Sequence, residues 1–414
     1  MKKLILTAVC IAALLGCSQQ KSDSTMNNSP LEQNQKAEEG FFGKLFRRFL
    51  EIYADKNGVT NNPCLSFILQ ADESELIADE LFSAGVAYQN GAYFLPKDLD
   101  KAASYFRKAA ERGHAVAQLF TAMACIQQYD DHNDEVLYWL QKAAEQGEPQ
   151  AMYNLAISYH RGDINGQVDI EKSNTLFRMA AEKGYPAACS RLAIIYRDGT
   201  DGFERDIAKA KFWAFESYAN NKEDDQAILD AFFTEDDFVD GKLNTNKIYD
   251  NAAAAGEPHA LYHIGNAYAK ENIAKAVELW TKAAESGCLY AKCNLAVYYR
   301  QEKQDYETAN KLLEDAAKFG IEDAQDMLAE SYYYGLGVEK DVAKAWEWNE
   351  KAVNLGFTPA RYLLAVMCLQ NELTEIIPDK VYRGLCYMNQ AAEDDYPLAI
   401  EYLKKHNSTE SDAD

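Results

Sequence analysis

The chain has 414 residues, a formal net charge of −23, 48% hydrophobic residues and 12% aromatic residues. This hydrophobic content is ample for a packed core, and the length would allow about two or three ordinary domains. The acidic excess argues against nucleic-acid binding, because a phosphate backbone needs clustered Lys and Arg. The negative charge is compatible with two roles: it could keep a long exposed surface soluble, or it could attract a basic protein partner.

Residues 1–16 have the order of a secretory signal peptide. Lys2 and Lys3 form a positive segment, and residues 4–15 are an apolar stretch too short to span a bilayer as a stable helix. The stretch ends at Gly16 and Cys17, and it resembles a bacterial lipoprotein signal in which the Cys17 thiol takes the lipid. We therefore expect a lipid-anchored envelope protein. Ser18, which stands where Asp would indicate inner-membrane retention, favours the outer membrane, facing the periplasm.

Three further segments flank the main part of the chain. Residues 17–40 are rich in Ser, Gln, Asn and Lys, which predicts a flexible tether. Residues 41–75 begin with an amphipathic stretch whose basic side carries Lys44, Arg47 and Arg48. This stretch is either a helix on the membrane surface or an N-terminal cap on the following array. Residues 406–414 are predicted to be a disordered acidic tail.

A fixed interval organises the rest of the chain. An Asp or Asn lies fifteen residues before a Gly or Asn at six places: Asp98 and Gly113, Asp169 and Gly184, Asp206 and Asn221, Asn272 and Gly287, Asp305 and Gly320, Asp341 and Gly356. Asp and Asn cap helix N-termini, and Gly or Asn tolerates the left-handed conformation that ends a helix. The interval predicts one helix of about fourteen residues, repeated along a solenoid.

Small residues recur at set distances from these helix ends. An alanine lies four residues after most of them: Ala117, Ala151, Ala188, Ala260, Ala291, Ala324, Ala360 and Ala399. Alanine pairs lie three and four residues before most ends, and Leu or Ile follows the recurring alanine at helical spacing. Small side chains at fixed points allow close helix packing, so each unit is predicted to be two antiparallel helices that need their neighbours to bury their apolar faces.

The copy from Ala324 to Ala360 carries the most complete pattern, with Tyr334, Gly335, Leu336, Gly337 and Val338 followed by Asp341, Lys344, Ala345, Trp348 and Gly356. This pattern resembles the Sel1-like repeat family, a relative of the tetratricopeptide repeats. The resemblance implies an all-α fold, a right-handed α/α solenoid of about nine helix-pair repeats over residues 76–405. The fourth and fifth units are degenerate in sequence, and we expect an irregular turn at residues 224–255.

A search for chemistry finds no phosphate-binding loop, zinc-protease motif or nucleophile elbow. His259 and His263 are four residues apart and could share a metal on one helix face, but no third ligand is evident. Seven cysteines follow Cys17, so at least one is unpaired within the chain, and no Cys-x-x-Cys occurs. We therefore predict no catalytic residue, no metal and no cofactor.

The first helix of each unit is expected to line the concave side of the solenoid. Residues two, three, six and nine positions after the recurring alanine should face this groove, because the fourth and eighth positions belong to the core. The predicted groove residues are Phe120, Tyr153, Asn154, His160, Arg191, Arg197, Tyr262, His263, Asn266, Asn294, Arg300, Tyr333 and Tyr362. Aromatic, amide and cationic side chains suit a protein partner. Alternatively, the helical phase is off by one residue and they are ordinary contacts between helices.

The leading hypothesis is a non-enzymatic, lipid-anchored scaffold that binds a protein partner in its groove. The resemblance also implies a more specific role, an immunity protein against an interbacterial toxin such as a phospholipase effector, whose basic surface the acidic chain would attract. Two alternatives stay open. One is a β-lactam-binding or hydrolysing enzyme, as for cysteine-rich relatives, although this chain lacks their regular cysteine pairs. The other is a peptidoglycan-binding module whose tyrosines stack on sugar rings.

Overall fold

The computed structural model describes residues 68–69, 71–91, 95–128, 134–164, 166–220, 226–370 and 380–408, all within one compact unit of residues 48–414. The predicted signal peptide, Cys17, the tether and most of the amphipathic segment lie outside the described residues. So does Asn221, one of the predicted helix ends.

The described part of the chain is all-α apart from one small hairpin, as predicted. Its helices are α1 Ala78–Asn90, α2 Leu99–Glu111, α3 Ala115–Gln128, α4 Asp134–Glu145, α5 Pro149–Arg161, α6 Ile170–Glu182, α7 Pro186–Asp198, α8 Ile207–Asn220, α9 Gln226–Phe232, α10 Thr245–Ala254, α11 Pro258–Tyr268, α12 Ile273–Glu285, α13 Leu289–Gln301, α14 Tyr306–Lys318, α15 Glu322–Tyr334, α16 Val342–Asn354, α17 Thr358–Leu369, α18 Lys380–Glu393 and α19 Pro397–Ser408. Strands β1 Phe238–Val239 and β2 Lys242–Leu243 pair antiparallel. The helices form nine successive pairs followed by α19.

The predicted helix starts are confirmed by their capping hydrogen bonds. The Asp98 carboxylate accepts from the backbone N–H of Lys101 at 3.0 Å, which satisfies a donor that the helix leaves free. The same bond forms at Asp169, Asp206, Asn272, Asp305 and Asp341. The predicted glycine ends are also present, with φ at 96° in Gly113 and 81° in Gly356. The fixed interval therefore measures a helix together with its two caps.

The recurring alanines form the contacts between helices. All eight that follow the helix ends are completely buried. Leucines such as Leu155, Leu192 and Leu328 are buried beside them, and burying each such side chain contributes about 1.5–3 kcal/mol relative to leaving it exposed. The core consequently runs along the array, between each helix and the next.

The fourth unit, although degenerate in sequence, is regular in structure. It consists of the full helices α7 and α8. Ser217 stands where other units have alanine, and it is equally buried. Its hydroxyl donates to the Pro186 carbonyl at 3.1 Å and lies 2.8 Å from the Ser190 hydroxyl. A small hydroxyl with hydrogen-bond partners can therefore replace the methyl group at this contact.

The fifth unit has the predicted irregularity. Its first helix, α9, has only seven residues and is followed by a 3₁₀ turn at Glu235–Asp237 and the β1–β2 hairpin. Its second helix, α10, has ten residues and packs against both α8 and α11. The stack therefore continues through α10 alone.

Helix α19 extends to Ser408, and residues 409–414 of the predicted acidic tail lie outside the described residues. Among the described residues, no helix combines the length and apolar character needed to cross a membrane.

Candidate interaction surface

All thirteen predicted groove residues lie on first helices of the units, namely α3, α5, α7, α11, α13, α15 and α17. The structure brings several of them together across neighbouring units. Most are half-buried, so part of each side chain contacts neighbouring helices.

His160, Arg191 and Asp201 form a charged cluster between the third and fourth units. The Arg191 guanidinium donates to the Asp201 carboxylate at 3.0 Å, and His160 Nε2 lies 3.2 Å from the other carboxylate oxygen. Arg191 also lies over the ring of Phe177, with 5.8 Å from Cζ to the centroid. The Asn174 amide donates to the Asp201 carbonyl at 2.7 Å and fixes the loop. About a third of the Arg191 and His160 side chains stays exposed.

Arg197 lies near this cluster but makes different contacts. It donates two hydrogen bonds to Asp198, at 2.7 and 3.0 Å. Its guanidinium also lies 5.2 Å from the centroid of the Phe232 ring, at the end of α9. Arg197 is therefore held over the irregular fifth unit, a contact that the repeat pattern did not predict.

A second cluster contains Tyr262, His263, Asn266 and Asn294. The side-chain amide oxygen of Asn266 accepts a hydrogen bond from the Asn294 side-chain amide at 2.6 Å and another from the Trp280 indole at 2.9 Å. These bonds join α11, α12 and α13, so the two amides are held in place by the structure between units.

The aromatic part of this second cluster extends to both sides. His263 stacks on Tyr249, with ring centroids 5.2 Å apart, and lies 3.6 Å from the Glu216 carboxylate. Tyr262 lies 6.0 Å from Tyr290, and burial raises the pKa of its hydroxyl. The tyrosine is therefore neutral over the physiological pH range.

Three predicted groove aromatics pack on rings of neighbouring helices and turns. Phe120 lies edge-on to Phe106 at 5.3 Å, Tyr153 lies 5.3 Å from Tyr185, and Tyr362 lies 5.4 Å from Tyr396. Such pairs contribute about 0.5–1.5 kcal/mol beyond the area they bury. The alternative that these residues are contacts between helices therefore describes part of their role.

The remaining members differ in exposure. Arg300 donates to Glu330 at 3.2 Å, and Asn154 is half-buried. Tyr333 does not belong to an accessible surface and is a correction to the prediction. Its side chain is only 2% exposed, and its hydroxyl donates to Gln370 at 2.6 Å. A position nine residues after the alanine thus turns into the core where the next unit supplies a hydrogen-bond acceptor.

The structure gives the predicted histidine pair a packing role. His259 and His263 rings lie 4.8 Å apart, and His259 stacks on Trp213 at 5.8 Å. No group of three or more metal-ligating side chains occurs in the described ranges. The six described cysteines after Cys64 are all buried thiols.

Sequence reasoning missed contacts between units that are far apart along the chain. Lys183, which is 6% exposed, donates to the Gly320 carbonyl at 2.8 Å and to Glu322 at 2.6 Å. Arg178 donates to Glu257 at 2.6 Å, and the backbone of Gly147 lies against that of Gly320. We call these contacts the inner seam. They leave no periodic sequence signal, because charged residues beside helix ends are common on any exposed turn.

A second set of distant contacts, the terminal seam, joins α1 to α17 and α18. Arg361 lies 3.2 Å from the buried Asp79 carboxylate, and Arg383 lies 3.3 Å from Glu80. Arg383 also donates to the Glu75 carbonyl at 2.6 Å. Burial raises the pKa of Glu80 to about 7 against the opposing charge of Arg383.

A sequence profile of the Sel1 repeat matches residues 81–114, 137–148, 149–185, 186–221, 252–288, 289–318 and 322–357, which together exceed half of the chain. The chain belongs to the Sel1 repeat family. Sel1 repeats mediate protein–protein interaction, and this Sel1 repeat protein is a scaffold of that kind. The profile leaves out residues 222–251, where the structure has α9 and the hairpin.

The Sel1 repeat protein is similar to several known proteins. It is 33% identical over 72 residues to the F-box protein At1g70590 of Arabidopsis thaliana, covering 17% of this chain and 20% of that protein. The chain spans only about a fifth of the length of the curated relatives it matches.

The chain is also similar to two solved structures. One is c5321, a protective antigen of uropathogenic Escherichia coli strains with an SLR fold. It is 21% identical, with a TM-score of 0.38, over 92% of this chain and 90% of that one. The other is immunity protein Pa5087 of Pseudomonas aeruginosa. It is 18% identical, with a TM-score of 0.25, over 61% of this chain and 81% of that one. At these identities the likeness concerns the fold alone.

Proposed function

We propose that this protein is a lipid-anchored scaffold that binds a protein partner on the predicted groove residues of its first helices. The observation that carries the proposal is the cluster at Arg191. There, a cation, an imidazole and an aromatic ring are oriented by neighbouring groups and remain partly exposed. Arginine and aromatic side chains dominate the binding energy of protein interfaces.

The fixed orientation of these side chains supports binding for an entropic reason. Ordering a flexible side chain at an interface costs about 0.5–1.5 kcal/mol. Arg191 is already ordered by Asp201 and Phe177, and Asn294 is ordered by Asn266. A partner that contacts them would lose less entropy on binding than with freely rotating side chains.

The specific form of the proposal is an immunity protein against an interbacterial toxin, with a phospholipase effector as an example. A lipid on Cys17 would place the scaffold where a toxin delivered to the periplasm arrives. The net charge of −23 would speed association with a basic toxin at low salt.

The partner-binding test uses a double variant, Arg191→Ala with Arg197→Ala, and the control Arg107→Ala. Arg107 is a half-exposed cation on the second helix α2, where it pairs with Glu135 at 2.7 Å. Affinity purification from the native organism, quantified by mass spectrometry, should recover a specific protein with wild type and the control but not with the double variant. Equal recovery with all three proteins would mean that the partner binds a surface that does not depend on Arg191 and Arg197.

The anchor is tested separately. Cys17→Ser should move the protein from the membrane fraction to the soluble fraction, because the variant lacks the thiol that would take the lipid. Continued membrane fractionation would refute the lipid on Cys17.

The enzyme alternative has weaker support. Burial raises the pKa of the thiols of Cys125, Cys288 and Cys293, so the nucleophilic thiolate is disfavoured at each. We expect no turnover of a chromogenic β-lactam. Hydrolysis that one point substitution abolishes would establish an enzyme instead.

A further inference from the structure

Three carboxylates lie on one face of α15, the first helix of the eighth unit. Asp323, Asp326 and Glu330 are three and four residues apart, so their side chains follow one another along that face, and each residue is half-buried. Asp326 and Glu330 occupy the second and sixth positions after Ala324, which are positions predicted to face the groove. We call these three carboxylates the acidic strip.

Two members of the acidic strip lack a partner among the described residues. Neither Asp323 nor Asp326 forms a hydrogen bond or an ion pair there, and Oδ1 of Asp326 is a buried atom that no donor reaches. Burial raises the pKa of Asp323 to about 7 and raises the pKa of Asp326 well above its ordinary value. A partly desolvated carboxylate is costly without a cation, and pKa values perturbed in this way cluster at functional sites.

The two cations near the acidic strip already serve other carboxylates. Lys183 donates to Glu322 at 2.6 Å, and Arg300 donates to Glu330 at 3.2 Å. Burial acts on Glu322 as well, but its ion pair with Lys183 outweighs the burial and lowers the pKa of Glu322. A cation at this place in the fold therefore restores a charged carboxylate, and Asp323 lacks such a cation.

Tyrosine rings lie near both ends of the acidic strip. Tyr262 and Tyr290 form one pair, with ring centroids 6.0 Å apart, and Tyr362 and Tyr396 form another, with centroids 5.4 Å apart. Burial raises the pKa of the Tyr290 and Tyr396 hydroxyls, and carboxylates of α15 raise both further. One ring of each pair is therefore within electrostatic range of the strip, and the face of a neutral tyrosine ring attracts cations.

We propose that the acidic strip binds a cationic side chain, a lysine or an arginine, of the protein partner. Two unpaired carboxylates supply the charge and the acceptors for an ammonium or guanidinium group, and the tyrosine faces attract the same cation. The part of the chain that the structure describes brings together no three side chains able to hold a metal ion, so these donors suit a polyatomic cation. That the cation belongs to a protein rests on the proposed function, but binding of the cation is testable without that partner.

The first experiment separates a binding role from a structural one. The site variant, Asp323→Asn with Asp326→Asn, removes two charges and keeps the shape of both side chains. The control, Glu302→Gln with Glu347→Gln, removes the same charge from exposed positions in the seventh and eighth units.

The melting temperature at pH 8 should be higher in the site variant than in wild type and in the control. The reason is that the free protein no longer holds unpaired carboxylates in partly desolvated positions, as expected of a site that trades stability for binding. A melting temperature at or below that of the control would mean that the fold satisfies these carboxylates by itself, and it would overturn the proposal.

The second experiment measures cation binding by isothermal titration calorimetry of the full chain with tetralysine at low salt and pH 8. Tetralysine with acetylated side-chain amines is the neutral probe, and it should not bind. The site variant should bind tetralysine at least about tenfold more weakly than wild type, because it loses charged acceptors, and the control variant should bind like wild type. Equal losses in the two variants would mean that tetralysine binds only through the overall negative charge, against the proposal.

A titration with calcium chloride addresses the other kind of cation. Calcium binding that the site variant loses, without any binding of tetralysine to wild type, would assign the strip to a metal ion and overturn the proposal.

Affinity purification then distinguishes the acidic strip from the surface at Arg191. Recovery of the partner should fall with the site variant and stay unchanged with the control. A loss with the site variant alone would support the strip and remove the surface at Arg191. A loss with the Arg191 and Arg197 double variant alone would leave the proposed function standing and overturn the strip.

Discussion

The seventh and fifth units of the array solve the same packing problem in different ways. The seventh, α13 and α14, buries Leu295, Leu313 and a series of alanines against its neighbours. The described part of the fifth buries Phe233 and Ile248 but leaves Phe238 and Val239 exposed on its hairpin. Polar contacts hold the hairpin segment. A repeat array therefore tolerates the shortening of one first helix where the second helix still bridges its neighbours.

The largest expected effect is on the free energy of unfolding, and it distinguishes the core of the seventh unit from the exposed hairpin of the fifth. Leu313→Ala should lower the free energy of unfolding by about 2–5 kcal/mol, because it opens a cavity in a core that cannot collapse freely. Val239→Ala, on the exposed hairpin, should stay within about 0.5 kcal/mol. Urea denaturation followed by circular dichroism measures both. Comparable losses would mean that the hairpin also packs as a core element.

The next effect concerns the polar support of the fifth unit. Lys211 lies 2.5 Å from Asp237, whose side chain is only 7% exposed. Lys211→Met should cost about 1–3 kcal/mol, because it leaves a buried carboxylate without its charged partner. Hydrogen exchange should then accelerate in residues 234–244.

Lys311→Met is the control in the seventh unit. Lys311 pairs with Glu307 at 2.8 Å on a surface where its side chain is 71% exposed, so the change should stay within about 0.5 kcal/mol. A larger loss there than at Lys211 would contradict the distinction between the two units.

Helix caps sharpen the comparison further. Asp305 caps the regular helix α14 and Asn244 caps the short helix α10, with acceptor distances of 3.0 and 3.1 Å. Alanine at either position should cost about 1 kcal/mol. Thermal unfolding of both single variants checks this. No loss at Asn244 would show that α10 depends on its neighbours rather than on its own cap.

Much of the fold follows from the sequence because its determinants are local. A cap bond joins an Asp to a backbone N–H three residues later, as at Asp341, and a left-handed helix end depends on one residue. The fourth unit departs from the repeat pattern in sequence but not in packing, because Ser217 replaces alanine at the same buried contact. Only the structure shows that size and hydrogen bonding, rather than residue type, are what that position requires.

The candidate surface was less predictable for a geometric reason. Helical phase places a side chain on a face, but neighbouring helices decide whether that face is open, and Tyr333 is buried for this reason. The seams were beyond prediction, because Lys183 and Glu322 are 139 residues apart and belong to units whose approach depends on the summed rotation of all units between them.

The last effect is a pH dependence with opposite signs in the regular units and in the fifth unit. Burial raises the pKa of Glu182 and of Asp323 to about 7, so the stability these groups contribute is present at low pH and is lost as pH rises towards 7. Burial also acts on Asp237, but hydrogen bonds from Lys211 and Thr234 outweigh it and lower its pKa. The stability that Asp237 contributes is present above the ordinary pKa of an aspartate and is lost only as the pH falls below that pKa.

We therefore expect the melting temperature of wild type to rise as the pH is lowered from 8 to 5.5. The double variant Glu182→Gln with Asp323→Asn should show a smaller rise. Hydrogen exchange of the hairpin, corrected for the intrinsic rate, should not change over that interval. A melting temperature that falls on acidification to pH 5.5 would contradict the assignment.

The described part of the array carries six buried thiols, at Cys125, Cys189, Cys288, Cys293, Cys368 and Cys386. A thiol reagent can modify each of them only when the surrounding unit separates from its neighbour. The rate at which each cysteine is modified therefore reports how often its own unit opens. Timed alkylation would reveal whether fraying begins at one extremity, at the interrupted unit, or everywhere at once, without adding a single foreign label.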